Sequence, residues 1–258
     1  MMPENHPRVA TDTWSLGDPL SFAWWKVRQN PFAITLTLLV ALMLVALPNL
    51  VAGSIIASRG IAVARTGVVA PSDISDLYVQ IGGAVAGWIT AGLFLGGMYR
   101  YLLRLVRTGD ASFGDLFSSM DRFGTLLGLA VILGLPGVAL MAARPLLVTA
   151  GVPDLVVTVA TIGVASYIAV RWGFSSILAV DKGLPIASAL AESSRMTESK
   201  RWKLFGSLLV IGLVTIAGGC ACVVGVFVTM SVGLIAWVNI YTRLTGEPSR
   251  GQVAEVAS

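Results

Sequence analysis

The chain has 258 residues, 55% of them apolar and only 12% charged. Soluble domains carry about 25% charged residues, so this composition excludes an ordinary water-soluble surface and fits a bundle whose flanks face lipid. The net charge of +4 comes from basic residues interleaved with apolar segments, which points to orientation in a bilayer and to anionic lipid rather than to nucleic acid.

Residues 1–30 read as an N-terminal tail followed by an interfacial helix. Glu4, Asp12, Asp18, Lys26 and Arg28 interrupt any compact apolar core, so no cleavable signal peptide is expected and the N-terminus is expected to stay in the cytoplasm. From position 15, Leu16, Leu20, Phe22, Ala23, Trp24 and Val27 alternate with polar groups in the manner of an amphipathic helix on a membrane surface.

A spanning helix needs about 20 apolar residues. The first such run covers residues 31–57, with Pro31 suited to a first turn and Pro48 expected to kink the helix or mark its outer end. The second covers residues 77–99 and holds two GxxxG pairs, Gly83/Gly87 and Gly92/Gly96, which let another helix approach closely. It continues into Arg100, Arg104 and Arg107, a basic stripe expected to snorkel to an interface.

Residues 112–123 place Phe113, Leu116, Phe117, Met120 and Phe123 at helical spacing behind a start signal at Asp110 or Ser112, and read as a second amphipathic helix. The third span is expected over residues 124–142, with Pro136 inside it and a turn marked by Arg144, Gly151 and Pro153. The fourth begins after Asp154 and runs to Trp172, with residues 173–180 as an apolar continuation. Arg171 sits inside this run. It either snorkels to the headgroups, if the span stops near Trp172, or is buried and binds a lipid phosphate or a partner's carboxylate.

Asp181-Lys182-Gly183 reads as a turn, and residues 184–201 as a third amphipathic helix. Residues 204–241 contain no charge; as one helix they would be about 57 Å long, too long for one crossing. A hairpin turning near Gly218-Gly219 is expected, with arms barely long enough to span. Residues 246–258 form a C-terminal tail.

These segments predict an all-α, polytopic transmembrane helix bundle of about six spans within residues 31–245, with cytoplasmic interfacial amphipathic helices. Arg8, Lys26, Arg28, Arg100, Arg104, Arg107, Arg122, Lys182, Arg195, Lys200, Arg201, Lys203, Arg243 and Arg250 fall on one side; only Arg59, Arg65 and Arg144 fall on the other. This asymmetry puts both termini in the cytoplasm. Trp14, Trp24, Trp25, Tyr99, Tyr101, Trp172, Trp202 and Tyr241 lie near the expected inner boundary and read as an interfacial belt. A surface segment followed by a hairpin occurs three times, which reads either as an internal repeat or as the ordinary occurrence of amphipathic inner loops.

Three stretches resemble a known group of proteins. They are Ser21-Phe-Ala-Trp-Trp-Lys-Val-Arg-Gln-Asn-Pro; Gly97-Met-Tyr-Arg-Tyr-Leu-Leu-Arg-Leu-Val-Arg-Thr-Gly-Asp with Phe113-Gly-Asp-Leu-Phe; and Val180-Asp-Lys-Gly-Leu-Pro-Ile-Ala-Ser-Ala-Leu-Ala-Glu-Ser-Ser-Arg-Met-Thr with Tyr241-Thr-Arg-Leu-Thr-Gly. The group comprises bacterial polytopic proteins similar to the membrane domain fused to some glycerophosphoryl diester phosphodiesterases. The resemblance implies six spans with interfacial helices and brings no catalytic residues. The chain has no room for a fused phosphodiesterase domain, so that activity is not expected.

No Asp or Glu falls inside an expected span, which disfavours an ion-coupled carrier. HExxH, GxSxG and P-loop patterns do not occur, and His6 has no catalytic partner in the sequence. Cys220 and Cys222 read as small packing residues, since one intervening residue strains a disulfide and a metal needs more ligands. No enzyme activity, cofactor or metal is expected.

The expected role is that of an accessory or scaffold subunit of a membrane assembly in the bacterial cytoplasmic (inner) membrane. The alternative is a transporter or lipid-handling protein whose cavity reaches Arg171 or Thr90, Thr158, Thr161 and Ser166. Candidate lipid or partner contacts are Arg100, Arg104, Arg107, Arg171, Trp24 and Trp25. Gly83, Gly87, Gly92 and Gly96 are candidates for helix packing. Expected partners are membrane lipids and other membrane subunits or a second copy of the chain, with no nucleic acid.

Overall fold

A computed structural model describes residue 15 and residues 17–66, 72–221 and 223–246, the side chains of residues 59–77 and 219–224 excepted. His6, Cys222 and the side chain of Cys220 therefore lie outside what is described, as do residues 1–14 and 247–258. Every described element is helical: α1 (Asp18–Gln29), α2 (Pro31–Thr66), α3 (Ser72–Arg107), α4 (Phe123–Thr149), α5 (Asp154–Trp172), α6 (Ser175–Asp181), α7 (Ile186–Thr197), α8 (Arg201–Ala221) and α9 (Val223–Thr245), with short 3-10 turns between some of them. Six of these helices, α2, α3, α4, α5, α8 and α9, belong to segments long and apolar enough to cross a membrane. The protein is an all-α six-span bundle.

Several boundaries differ from those expected. The helix over α2 runs through Pro48 to Thr66, so this proline does not end it; membrane helices tolerate an internal proline where neighbouring groups or a local adjustment of the helix satisfy the freed carbonyl. Likewise α4 passes Pro136 and Pro145 and carries Arg144 within the helix. Residues 112–123 do not form an α-helix. They form two 3-10 turns, Phe113–Phe117 and Met120–Arg122. The reason is local: Ser112 and Asp115 close a capping box after a single turn, Ser112 N–H donating to Asp115 Oδ2 at 3.0 Å.

The fourth run breaks after Trp172, where the Gly173 N–H closes α5 on the Ala169 carbonyl at 3.0 Å. The chain then turns inward as α6, whose Ile177, Leu178 and Ala179 are fully buried. The last hairpin is longer than expected. Its arms have 21 and 23 residues because α8 begins at Arg201 and α9 continues to Thr245. At 1.5 Å per residue both arms cover about 30 Å, so neither is short of a full crossing.

The three hairpins form a closed ring. Within them α2 packs on α3, α4 on α5, and α8 on α9; between them α3 packs on α4, α5 on α8, and α9 on α2. Each hairpin's second arm ends in a left-handed glycine: Gly109 (φ 88°) after α3, Gly183 (φ 65°) after α6, and Gly246 (φ 73°) after α9. A Cβ disfavours that conformation, so glycine marks the same corner three times. A surface segment then packs back on the arm it follows: the 3-10 turns on α3, and α7 on α5 and α6. The third surface segment, α1, stands at the other end of the chain and packs on α9. Each hairpin is thus accompanied by one surface segment at the same end of the ring.

The core is concentrated at one end of this ring. Leu38, Met98, Leu102, Leu116, Leu129, Phe174, Ile235, Ile240 and Tyr241 are all fully buried there, beneath α1, the 3-10 turns and α7. Towards the other end the helices separate, and Leu155, Val159, Ile162, Leu213 and Ile216 stand exposed. In a bilayer that half faces lipid.

Candidate functional site

The basic stripe of α3 proves to be a ladder of ion pairs. Arg100 Nη2 donates to both Asp121 carboxylate oxygens at 3.0 and 3.2 Å, and its Nη1 donates to the Ser118 carbonyl. Arg104 Nη1 donates to Asp115 at 2.5 Å. Arg107 grips Asp181 with both nitrogens at 2.6 and 2.8 Å. Arg122 extends the ladder by donating to the Gly183 carbonyl at 3.2 Å. Arg100, Arg104 and Arg107 thus each bind a carboxylate of their own chain, and they line one small cavity together with Thr108 and Asp181.

The Arg107–Asp181 pair stands where the three units meet. Tyr241 of α9 donates its hydroxyl to Asp181 Oδ2 at 2.8 Å. One residue from each hairpin's second arm (α3, α6 and α9) therefore meets at a single carboxylate. One layer away, Phe174 stacks on Trp237 with ring centroids 4.5 Å apart. This polar knot and aromatic stack close the basic end.

Arg171 is bound quite differently. It lies in the last turn of α5, partly buried, and α7 packs against it. Its carbonyl, orphaned at the helix terminus, accepts from Ser193 Oγ at 3.1 Å and Thr197 Oγ1 at 3.4 Å. Its guanidinium donates from Nε to Ser194 Oγ at 3.1 Å and from Nη1 to the Tyr167 hydroxyl at 2.6 Å. The Trp172 and Tyr167 rings lie 5.3 and 5.9 Å from the guanidinium carbon. Among the described residues no carboxylate pairs with it. The sequence did not reveal Ser193, Ser194 and Thr197 as its supports, because they look like the ordinary polar face of a surface helix.

Trp24 and Trp25 stand half-exposed on α1, opposite the buried Ala23 and Val27. Trp25 packs on Phe22 and lies beneath the Lys26 ammonium. At the start of α1, Ser15 donates to Asp18 from its hydroxyl at 2.6 Å and its backbone N–H at 2.7 Å. These bonds hold the Asp18 carboxyl below the ordinary carboxylate range.

The glycine pairs face different neighbours within the chain. A Cβ at Gly83 would stand 2.6 Å from Ala52 of α2, and one at Gly87 would stand 2.6 Å from the Asn49 amide. A Cβ at Gly92 would come within 3.1 Å of Leu127 and Phe123, and one at Gly96 would come within 2.7 Å of Ser119. The first pair seats α2 and the second seats α4 with its leading turn. Gly97, which lies outside both pairs, has the tightest position: a Cβ there would collide with the Leu116 backbone.

Where α2 and α4 part over the far half of α3, they leave a cleft of about 710 Å³. Ala52, Ala84, Gly134 and Met141 are among its apolar lining, and Asn49, Gln80 and Trp88 supply polar groups. Thr90 borders the same region, donating to the Val45 carbonyl at 3.3 Å. Arg171, Thr158, Thr161 and Ser166 do not line this cleft. The size falls within the range of small-molecule sites.

No protein-family model, curated protein or solved structure matches the chain.

Proposed function

We propose that the protein is a non-enzymatic multi-pass component of the bacterial cytoplasmic membrane, serving as an accessory or scaffold subunit that binds neighbours within the bilayer. The observation supporting this is the division of the molecule. The basic end is closed by a buried core and a three-way polar knot, while the far halves of α4, α5 and α8 present unpartnered apolar faces. Such a body is rigid where it is anchored and available where other helices or lipid would meet it. The charge asymmetry supports both termini in the cytoplasm. The resemblance of the loop motifs to the membrane domains found with some glycerophosphoryl diester phosphodiesterases belongs to the same proposal, without their hydrolytic activity.

Crosslinking in native membranes, followed by mild-detergent purification and identification of neighbours, tests this reading. A stoichiometric membrane partner or a defined homo-oligomer is expected. A monodisperse monomer with no crosslinked neighbour refutes it. Reporter fusions at Ser258 and in the α4–α5 turn test the orientation: a cytoplasmic signal is expected at the first and an external signal at the second.

A second reading, lipid handling, is favoured by the apolar cleft over α3. A photoactivatable acyl-chain probe should label α3 near Ala84, and Gly137→Trp, which fills the cleft, should abolish that labelling. Unchanged labelling in the filled variant counts against this reading.

A further inference from the structure

We propose that Arg171, Tyr167 and Ser194 form a binding site for the phosphodiester of an anionic phospholipid. The inference requires only the bilayer location and goes beyond the scaffold role; either can fail without the other.

An arginine presents five N–H donors and no acceptor. At Arg171 one goes to Ser194 and one to Tyr167, which leaves three without a protein partner among the described residues. Both hydroxyls act as acceptors toward the guanidinium, so each retains its own O–H to donate. Up to five donors therefore converge at the end of α5, with no carboxylate among them. Four other arginines on spanning helices show the opposite pattern. Arg100, Arg104, Arg107 and Arg144 each bind an aspartate.

Because α5 stops at Trp172, Arg171 reaches the headgroup level as a snorkelling arginine does, where lipid phosphates are the counter-ions at hand. A donor-only cluster selects an anion, and the planar guanidinium fork matches the paired oxygens of a phosphate. Orientation is already set: α7 fixes the Arg171 backbone through Ser193 and Thr197, and the Tyr167 and Trp172 rings flank the guanidinium. The depth is suitable as well. The site lies at the closed, basic end of the bundle, and Tyr167 and the nearly fully exposed Trp202 at the start of α8 lie on its outer surface, where a lipid headgroup would arrive.

The test uses the full-length protein, purified in a neutral detergent and titrated with phosphatidylglycerol, phosphatidylcholine or inorganic phosphate. Native mass spectrometry reads binding and thermal unfolding reads stabilisation. Phosphatidylglycerol should bind and stabilise, whereas phosphatidylcholine and inorganic phosphate should have much weaker effects. Arg171→Gln should weaken phosphatidylglycerol binding by about tenfold or more, as expected for losing hydrogen bonds to a charged group. Arg171→Lys should recover only part of the loss, because it restores charge without the fork. Tyr167→Phe and Ser194→Ala keep the charge and should each weaken binding by a few-fold, which keeps the proposal testable if Arg171→Gln does not fold. Arg144→Gln, at the opposite end, should leave binding unchanged. Equal binding of the two lipids would overturn the proposal. So would unchanged affinity in the Arg171, Tyr167 and Ser194 variants, saturation by inorganic phosphate without a lipid effect, or a protein neighbour crosslinking at position 171 independently of lipid.

Discussion

Gly97→Ala tests how α3 seats the segment that follows it. The added methyl group would collide with the carbonyl, carbon and Cα of Leu116, all backbone atoms. Neither side can withdraw easily. Gly97 lies in the middle of a long helix, and Leu116 is fully buried in a turn closed by Ser112 and Asp115 and tied to Arg104. Inserting a methylene into a packed core costs about 1–3 kcal/mol, and an obstruction made of backbone belongs at the upper end. Alanine's better helix propensity returns about 1 kcal/mol. The expected net loss is therefore about 2 kcal/mol, and more if Asp115 is pushed away from Arg104.

The control is Gly82→Ala on the same helix, where a Cβ meets nothing within 4 Å. That change should be neutral or stabilising by up to about 1 kcal/mol. Gly92→Ala, with neighbours at 3.1 Å, and Gly96→Ala, where the Leu126 side chain can rotate away, should fall between the two. Equilibrium unfolding in a detergent series supplies the ranking. If Gly97→Ala is as stable as Gly82→Ala, α3 and the Leu116 turn are not in the contact described, and the closed basic end is wrong.

Further outcomes follow from the polar contacts. Asp181→Asn removes the carboxylate shared by Arg107 and Tyr241. Breaking a fully buried pair costs about 3–5 kcal/mol, and because Arg107 keeps 29% side-chain exposure a value of about 2–3 is expected; a double-mutant cycle with Arg107→Gln that shows no coupling would refute it. The Ser193→Ala/Thr197→Val variant strips the Arg171 carbonyl of both donors and should cost about 1–3 kcal/mol, with faster amide exchange in the last turn of α5; unchanged exchange would show that α7 does not hold that terminus. Asp18 has a depressed pKa in the folded state, so its contribution is present above the ordinary carboxylate range and is lost as pH falls through the lower folded value. Ser15→Ala should move that loss to higher pH, as followed by Trp24 and Trp25 fluorescence.

The spans were legible because hydrocarbon thickness acts on every residue of a crossing helix, and uninterrupted apolar runs cannot be disguised. Their ends were less so. Pro48 was expected to kink its helix or mark its outer end, yet α2 runs on through it, and α4 continues past the Ala142 limit expected for it and through Pro145. The apolar spacing of Phe113, Leu116, Phe117, Met120 and Phe123 suits a 3-10 turn as well as an α-helix, and only the short-range Ser112–Asp115 closure separates the two. The arginine stripe was visible but its partners were not: Asp181 lies 74 residues from Arg107, and nothing local connects them. The glycine pairs were read as packing surfaces without a partner. Their five-residue offset from Gly87 to Gly92 turns the second pair to another side of the helix, which is why α3 can hold α2 and α4 at once.

The ring of three hairpins gives α1 a role that its modest length hides. The 3-10 turns and α7 are covalently continuous with the arms they cover, whereas α1 reaches α9 from the opposite end of the chain. The closing turns of α9 need that cover, since Val238, Asn239, Ile240, Tyr241 and Thr242 are all fully buried. Five consecutive buried residues point all round a helix, so it must be enclosed on every side. Ala23, also fully buried, marks where α1 meets this surface. Ala23→Glu should therefore undock α1 alone, because a carboxylate without a partner costs more to bury than so short a helix gains from docking. Amide exchange should rise in the last two turns of α9 and stay constant in α4 and α5, and the six spans should remain inserted. Unchanged protection at Ile240 to Thr242 would mean that an element other than α1 covers the last turns of α9.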